Sequence, residues 1–170
     1  IPHVSTEEWQ KLDVISKWLI STRAAVLIMT FLSGAFAGIF AFRDGKFDLL
    51  KWALVTFGLI FSHATNNLLN DYTDFNRGVD QDNYYRSQYG PQPLVHGLFT
   101  KRQQLTYAGV TGSIALIMGI ILILLTQSWW TLLLLALGVF FVLFYTWPLK
   151  YIALGEISVL LVWGPLMIGG

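Results

Sequence analysis

Apolar residues dominate the chain in long blocks, and polar residues gather between the blocks. Five apolar runs stand out, near residues 24–42, 49–69, 103–126, 129–147 and 152–170. Each is roughly the 18–24 residues that a helix needs to cross about 30 Å of hydrocarbon. The pattern therefore predicts membrane-spanning helices. Ahead of them, Trp9, Leu12, Ile15, Ser16 and Leu19 recur at helical spacing, with Lys11 and Lys17 off that stripe. Residues 1–22 are accordingly expected to form an amphipathic lead-in helix lying at the membrane interface. Gly34, Ala35, Ala37 and Gly38 in the first run suit close helix packing. Trp52, Trp129, Trp130 and Trp147 fall near span ends, as interfacial aromatics do. The expected fold class is all-α, a polytopic transmembrane helical bundle.

Composition agrees with that solvent. Of 170 residues, 55% are hydrophobic and 12% are charged, against about 25% charged in ordinary soluble domains. Cysteine is absent, which excludes disulfides and thiolate metal sites. The chain starts at Ile1, and its last residues lie inside an apolar run, so a piece of a longer protein is expected. Lys and Arg are distributed unequally: eight fall with the N-terminus, the loop after the second run and the loop after the fourth, and three fall on the other side. The positive-inside rule then makes the N-terminus and the loop spanning 71–102 cytoplasmic, in a multi-pass protein of the cell's inner membrane.

The acidic residues change the picture most. Four of the seven aspartates lie within residues 71–82, and after Asp82 the only acid is Glu156. On a helix, Asn67, Asn70, Asp71 and Asp74 project within an arc of about 100°. His63 continues that stripe one turn deeper, where a hydrogen-bonded packing role is expected of it. An aspartate at the bilayer centre costs roughly 2.5–3.5 kcal/mol, so such a face should meet a wet cavity or a partner. Mixed carboxylate and amide oxygens suit Mg²⁺, which takes one or two protein carboxylates and completes its shell with water and phosphate. Helix-end statistics explain Asn76 to Asn83, with Asn76-Arg77-Gly78 as a stop. They do not explain Asn66, Asn67 and Asn70 inside an apolar run.

Asn70-Asp71-Tyr72-Thr73-Asp74 resembles the first aspartate-rich motif of the UbiA superfamily of intramembrane aromatic prenyltransferases. Arg77-Gly78-Val79-Asp80 and the stretch from Gly90 to Gly97 are similar to the loop after that motif, closest to the branch acting on 1,4-dihydroxy-2-naphthoate in menaquinone synthesis. Tyr145-Thr146-Trp147-Pro148-Leu149-Lys150 resembles the family's Tyr…Lys element at the end of the fourth helix. Leu154-Gly155-Glu156 and Gly164-Pro165 fit the start of the fifth. The resemblance covers residues 23–170 and implies the N-terminal part, about five helices of about nine, of a prenyltransferase domain.

Such a resemblance implies transfer of a polyprenyl group from an allylic diphosphate to an aromatic acceptor, with Mg²⁺ assisting diphosphate departure. The implied metal ligands are Asn67, Asn70, Asp71, Asp74 and Asp80. Asp80 lies two residues beyond the position where many members carry their last aspartate, which here is Gly78. Asn67, Asn70, Arg77, Arg86 and Lys150 would hold the diphosphate, and Asp71, Asp74, Tyr145 and Lys150 would carry the chemistry. Lys101 and Arg102 are expected to anchor a helix end. The implied partners are the polyprenyl diphosphate, the aromatic acceptor and the lipid bilayer, with no nucleic acid. A second aspartate-rich motif has no counterpart here, so the piece alone is expected to lack half its metal site and to be inactive. Two alternatives compete. A phosphatidyl transferase needs Gly after the second aspartate of its core, and Phe75 stands there. A transporter or channel with a cation-binding polar stripe predicts ionisable residues in several spans, and the first and third interiors have none.

Overall fold

The computed structural model describes residues 4–79, 88 and 90–168. Every regular element among them is helical. The N-terminal segment is two short helices, α1 (Thr6–Lys11) and α2 (Val14–Ser21), rather than the single lead-in helix expected. Local caps cause the break. Ser5 and Glu8 form a reciprocal capping box that starts α1, and the Asp13 carboxylate accepts from the Ser16 backbone N–H at 2.9 Å and restarts the chain as α2. The same two Ser16 groups, backbone N–H and hydroxyl, hold the Asp13 carboxyl below its usual range. Trp9 is not exposed on the outer side of α1. It is buried with Leu94, Leu98 and Phe99, and meets the Phe99 ring edge-on at 5.1 Å.

Arg23 breaks the path between α2 and α3 (Ala24–Arg43) with a left-handed backbone, φ 57° and ψ 56°. α3 is packed closely on α4 (Leu49–Asn76), and two glycines permit this. A Cβ on Gly34 would stand 2.7 Å from Thr56 Oγ1, and one on Gly38 would stand 2.5 Å from Trp52 Nε1. Trp52 accordingly turns inward and donates to the Gly34 carbonyl at 2.9 Å. It is not the outward interfacial aromatic its position suggested.

α5 (Lys101–Thr126) starts with a capping box between Thr100 and Gln103 and packs along α4. Gln104 Nε2 donates to the Leu68 carbonyl at 3.1 Å, and Trp18 of α2 donates to Thr111 at 2.9 Å. Left-handed Gln127 turns the chain into α6 (Trp129–Phe144). A 3₁₀ turn, Leu149–Ile152, leads to α7 (Gly155–Leu161) and a π-helical turn, Val162–Leu166. The last apolar run is thus helical from Gly155 to Leu166, with its final turn π-helical. Pro165 lacks the N–H that a regular helix would use there. α3 and α5 are long and apolar enough to cross a membrane, by length and composition, and α6 and Gly155–Leu166 are shorter apolar helices.

Candidate functional site

α4 does not stop where the apolar run ends at Leu69. It continues two turns to Asn76 and closes at Gly78, whose φ is 71°. The Asn/Asp motif is thus helical, and its spacing sets its orientation: Asn67, Asp71 and Asp74 are all buried, and Asn70 is half-buried between them. Asn67, Asn70 and Asp74 of this face, though not Asp71, line a cavity of about 1430 Å³ walled by α3, α4, α5, α6 and the chain after Phe144. Asn66, Asn67, Asn70, Asp74, Tyr145 and Lys150 line it, together with Arg23 and His63.

Most of these polar groups have a defined partner. Asp71 forms an ion pair with Arg23, whose left-handed backbone aims its side chain back at α4. Asn67 Nδ2 donates to the Thr22 carbonyl at 2.8 Å, which leaves its amide oxygen as the acceptor end. Asp74 accepts three times: from Lys150 Nζ at 2.7 Å, from Tyr151 Oη at 3.0 Å, and from Asn70 Nδ2 at 2.9 Å. Asn70 Oδ1 accepts from Thr146 at 3.3 Å and lies 3.4 Å from Lys150 Nζ. The turn after α6 and the end of α4 are thereby joined through one carboxylate and one amide.

The α4 residues Asn67, Asn70, Asp71 and Asp74 and the distant Tyr145 and Lys150 come to one region of the fold in this way. Tyr145 and Lys150 also line a smaller recess with Gly155 and Glu156. Arg77, expected to contact phosphate, packs on two aromatic rings. It is exposed, with its guanidinium 3.7 Å from the Trp147 ring centroid and 4.6 Å from that of Tyr151. A cation stacked on two rings in this way is held by their π-faces. Lys101 lies 5.4 Å from the Phe75 ring, at the start of α5. Asp80 and Arg86 fall outside the described residues. His63 is a packing histidine, as expected: Thr30 Oγ1 lies 2.7 Å from its Nδ1, and Trp163 meets its ring edge-on at 5.7 Å.

Arg23, Thr22, Thr146 and Tyr151 are not among the residues that sequence reasoning brings to the site. Arg23 enters that reasoning only as an orientation charge. Its one sequence signal is its place flush against the first apolar run. Thr146 and Tyr151 adjoin or lie inside the Tyr145–Lys150 element, so that element carries more of the site than its two end residues suggest.

The donor set on this face is two carboxylates and two side-chain amides, all hard oxygens. Among the described residues no three His, Asp or Glu side chains converge on one point. Such a set fits a Mg²⁺ ion that takes one or two carboxylates from the protein and the remaining oxygens from phosphate and water. It would not fit a site that had to be completed by protein carboxylates alone.

A bundle of apolar helices around a cavity with polar and charged lining is the architecture of an integral membrane protein. The UbiA prenyltransferase family model matches residues 23–170, and the chain belongs to that family. Its members are integral membrane enzymes that transfer prenyl groups from prenyl diphosphates to aromatic acceptors, generally with a divalent metal such as Mg²⁺. No curated protein and no solved structure matches the chain.

Proposed function

We propose that the chain holds the diphosphate end of a polyprenyl diphosphate for transfer to an aromatic acceptor of the 1,4-dihydroxy-2-naphthoate type, a quinone precursor. The observation that carries this is the meeting of the Asn67–Asp74 face with Lys150 and Tyr145 at one wall of the apolar cavity. Residues 23–170 form the catalytic domain's N-terminal part in this reading, and residues 1–22 lie at the interface. Val14 and Ile15, each 70% exposed on α2, support that placement. Five spans, with the N-terminus and the Asp-rich end on the cytoplasmic side of the inner membrane, follow the Lys and Arg distribution.

In the reaction the allylic C–O bond breaks, the diphosphate departs with the bonding electrons, a ring carbon of the acceptor captures the allylic cation, and that carbon regains aromaticity by losing the group it carried, a proton to water or, at the carboxylated carbon, CO₂. Asn67, Asn70, Asp71 and Asp74 would hold Mg²⁺, which when bound neutralises the leaving diphosphate and orients it. Lys150 Nζ, already at the rim of that face, supplies a point charge to phosphate oxygens. The Tyr145 ring stands beside Lys150 in the cavity wall, where an aromatic face can stabilise the allylic cation. Leu116, Leu122, Leu134, Leu135 and Val139 give the cavity an apolar lining suited to an isoprenoid tail and keep water from the cation. Asp80 and Arg86 remain proposed as an additional metal ligand and phosphate contact.

The test is transfer of a radiolabelled prenyl group by the intact protein, with Mg²⁺, to a panel of aromatic acceptors. Labelled prenyl naphthoquinol precursor is expected from the naphthoate, with loss of transfer in Asp71→Ala. Labelling of a different ring only would overturn the acceptor assignment, and transfer by Asp71→Ala at the wild-type rate would overturn the site.

A further inference from the structure

The cavity leads away from Asp74 and Lys150 along α4 and has a second, quite different end. Beyond Ser62 the α4 residues that line it are Leu59, Gly58, Val55 and Leu54, all apolar. The lining then changes within one turn: Trp52 and Phe47 are joined by Lys51, Asp48 and Lys46. Asp48 and Lys51 form an ion pair at 3.3 Å, nearly half exposed. Thr126 and Thr131, hydrogen-bonded to each other at 3.0 Å, make the same end polar from α5 and α6. An apolar chain that reached this end would have to strip water from charged groups or enter water itself. Trp52 stands where the apolar stretch finishes, and it is held there. Its Nε1 donates to the Gly34 carbonyl at 2.9 Å, its ring lies on the bare backbone of Gly38, where a Cβ would stand 2.5 Å from Nε1, and the Phe47 ring backs it at 6.1 Å.

We propose that Trp52 is the stop for the prenyl tail and makes this chain selective for tail length. The stop rests on the prenyl-transfer reading above, and it adds an upper limit on the substrate. Along α4, Trp52 and Asp74 lie about 33 Å apart at 1.5 Å per residue. An isoprene unit advances by four carbon–carbon bonds, about 5 Å when extended. With the diphosphate at Asp74, a tail of about six units spans the distance to Trp52 on these lengths. Each further unit has to fold back on the tail or push past Trp52 into the charged end.

The experiment measures kcat/KM of the intact protein in lipid nanodiscs for a series of prenyl diphosphates, from geranyl to decaprenyl, with the same panel of aromatic acceptors. The wild type should lose efficiency beyond hexaprenyl diphosphate, although longer tails partition more strongly into the bilayer. Trp52→Ala should raise decaprenyl transfer relative to hexaprenyl by at least about tenfold over the wild-type ratio, the low end of what a misfit group in an apolar pocket costs. Ala41→Phe, which fills the lining from the last turn of α3, should shift the limit the other way and favour geranylgeranyl over hexaprenyl diphosphate. Trp129 is 70% exposed, follows the same turn as Thr126 and lines no part of the cavity, so Trp129→Ala should keep the wild-type length profile. Equal kcat/KM from hexaprenyl to decaprenyl diphosphate in the wild type would overturn the stop and leave prenyl transfer standing. So would a wild-type profile in Trp52→Ala with geranylgeranyl transfer intact, or, where that variant does not fold, a wild-type profile in Ala41→Phe. No transfer at any length would overturn the reading on which the stop rests.

Discussion

α4 and α6 are neighbouring helices in the same apolar protein, and they use their residues in opposite ways. α6 is apolar from Trp129 to Phe144 apart from Thr131, yet none of its residues is buried. α4 carries His63, three asparagines and two aspartates in its second half before its last residue, Asn76, and it buries Thr56, Ala64, Thr65, Asn67, Leu68, Asp71 and Asp74. In lipid, Leu gains nothing by turning inward, because the surroundings are as apolar as the helix. Small and polar residues are what a membrane bundle places inside. The hydrophobic block therefore identifies a helix, and the residues that interrupt the block identify its inward face.

The largest effect should come from the deepest interruption. Asp74 takes hydrogen bonds from Lys150, Tyr151 and Asn70, so Asp74→Ala removes one of the carboxylates proposed to hold the metal and leaves Lys150 without its anion. Prenyl transfer by the intact protein should fall by at least about a hundredfold, as for other losses of charge stabilisation at a reacting group. A variant within threefold of wild type would break the contrast between the two helices, since α4's polar face would then be packing alone.

Gly34→Leu should come next, with stability as its readout. The new side chain would begin 2.7 Å from Thr56 Oγ1, on a helix pair that closes only because Cβ is absent. Overpacking of this kind costs about 1–3 kcal/mol, to be seen as a lowered unfolding midpoint of the detergent-solubilised protein. Tyr151→Phe sharpens the same comparison at the site. It removes the 3.0 Å hydrogen bond to Asp74 but keeps the ring on which Arg77 stacks. The Mg²⁺ concentration for half-maximal transfer should rise by about tenfold, as for other groups that orient a metal ligand, with the unfolding midpoint unchanged.

How much of this is legible in the sequence divides along the same line. The helical turn of 3.6 residues by itself puts Asn67, Asn70, Asp71 and Asp74 on one face, and Gly78 marks where α4 stops. Both depend on local spacing alone. The Arg23–Asp71 pair joins residues 48 positions apart, and no periodicity reports on it. Tyr151 is hidden for the same reason, its partner Asp74 lying 77 positions away. The break between α1 and α2 is written locally, in Ser5, Glu8 and Asp13, but the apolar stripe running through Leu12 masks it. Pro165 likewise announces a change of helical turn that the length of the last apolar run conceals.

The smallest effect should come from α6. Leu132 is 42% exposed on its outer side and lies away from the cavity wall. Truncating a core leucine costs about 2–5 kcal/mol, because the side chain loses its packing partners and leaves a cavity. Among the described residues no protein encloses Leu132, so Leu132→Ala is expected to open no cavity. Its stability should change by less than about 0.5 kcal/mol, the range of surface substitutions in general, and prenyl transfer should stay at the wild-type rate. A loss of several degrees in the unfolding midpoint would mean that α6 is covered on that side by protein. The distinction between a helix that packs by interruption and one that only fills the membrane would then end at α4.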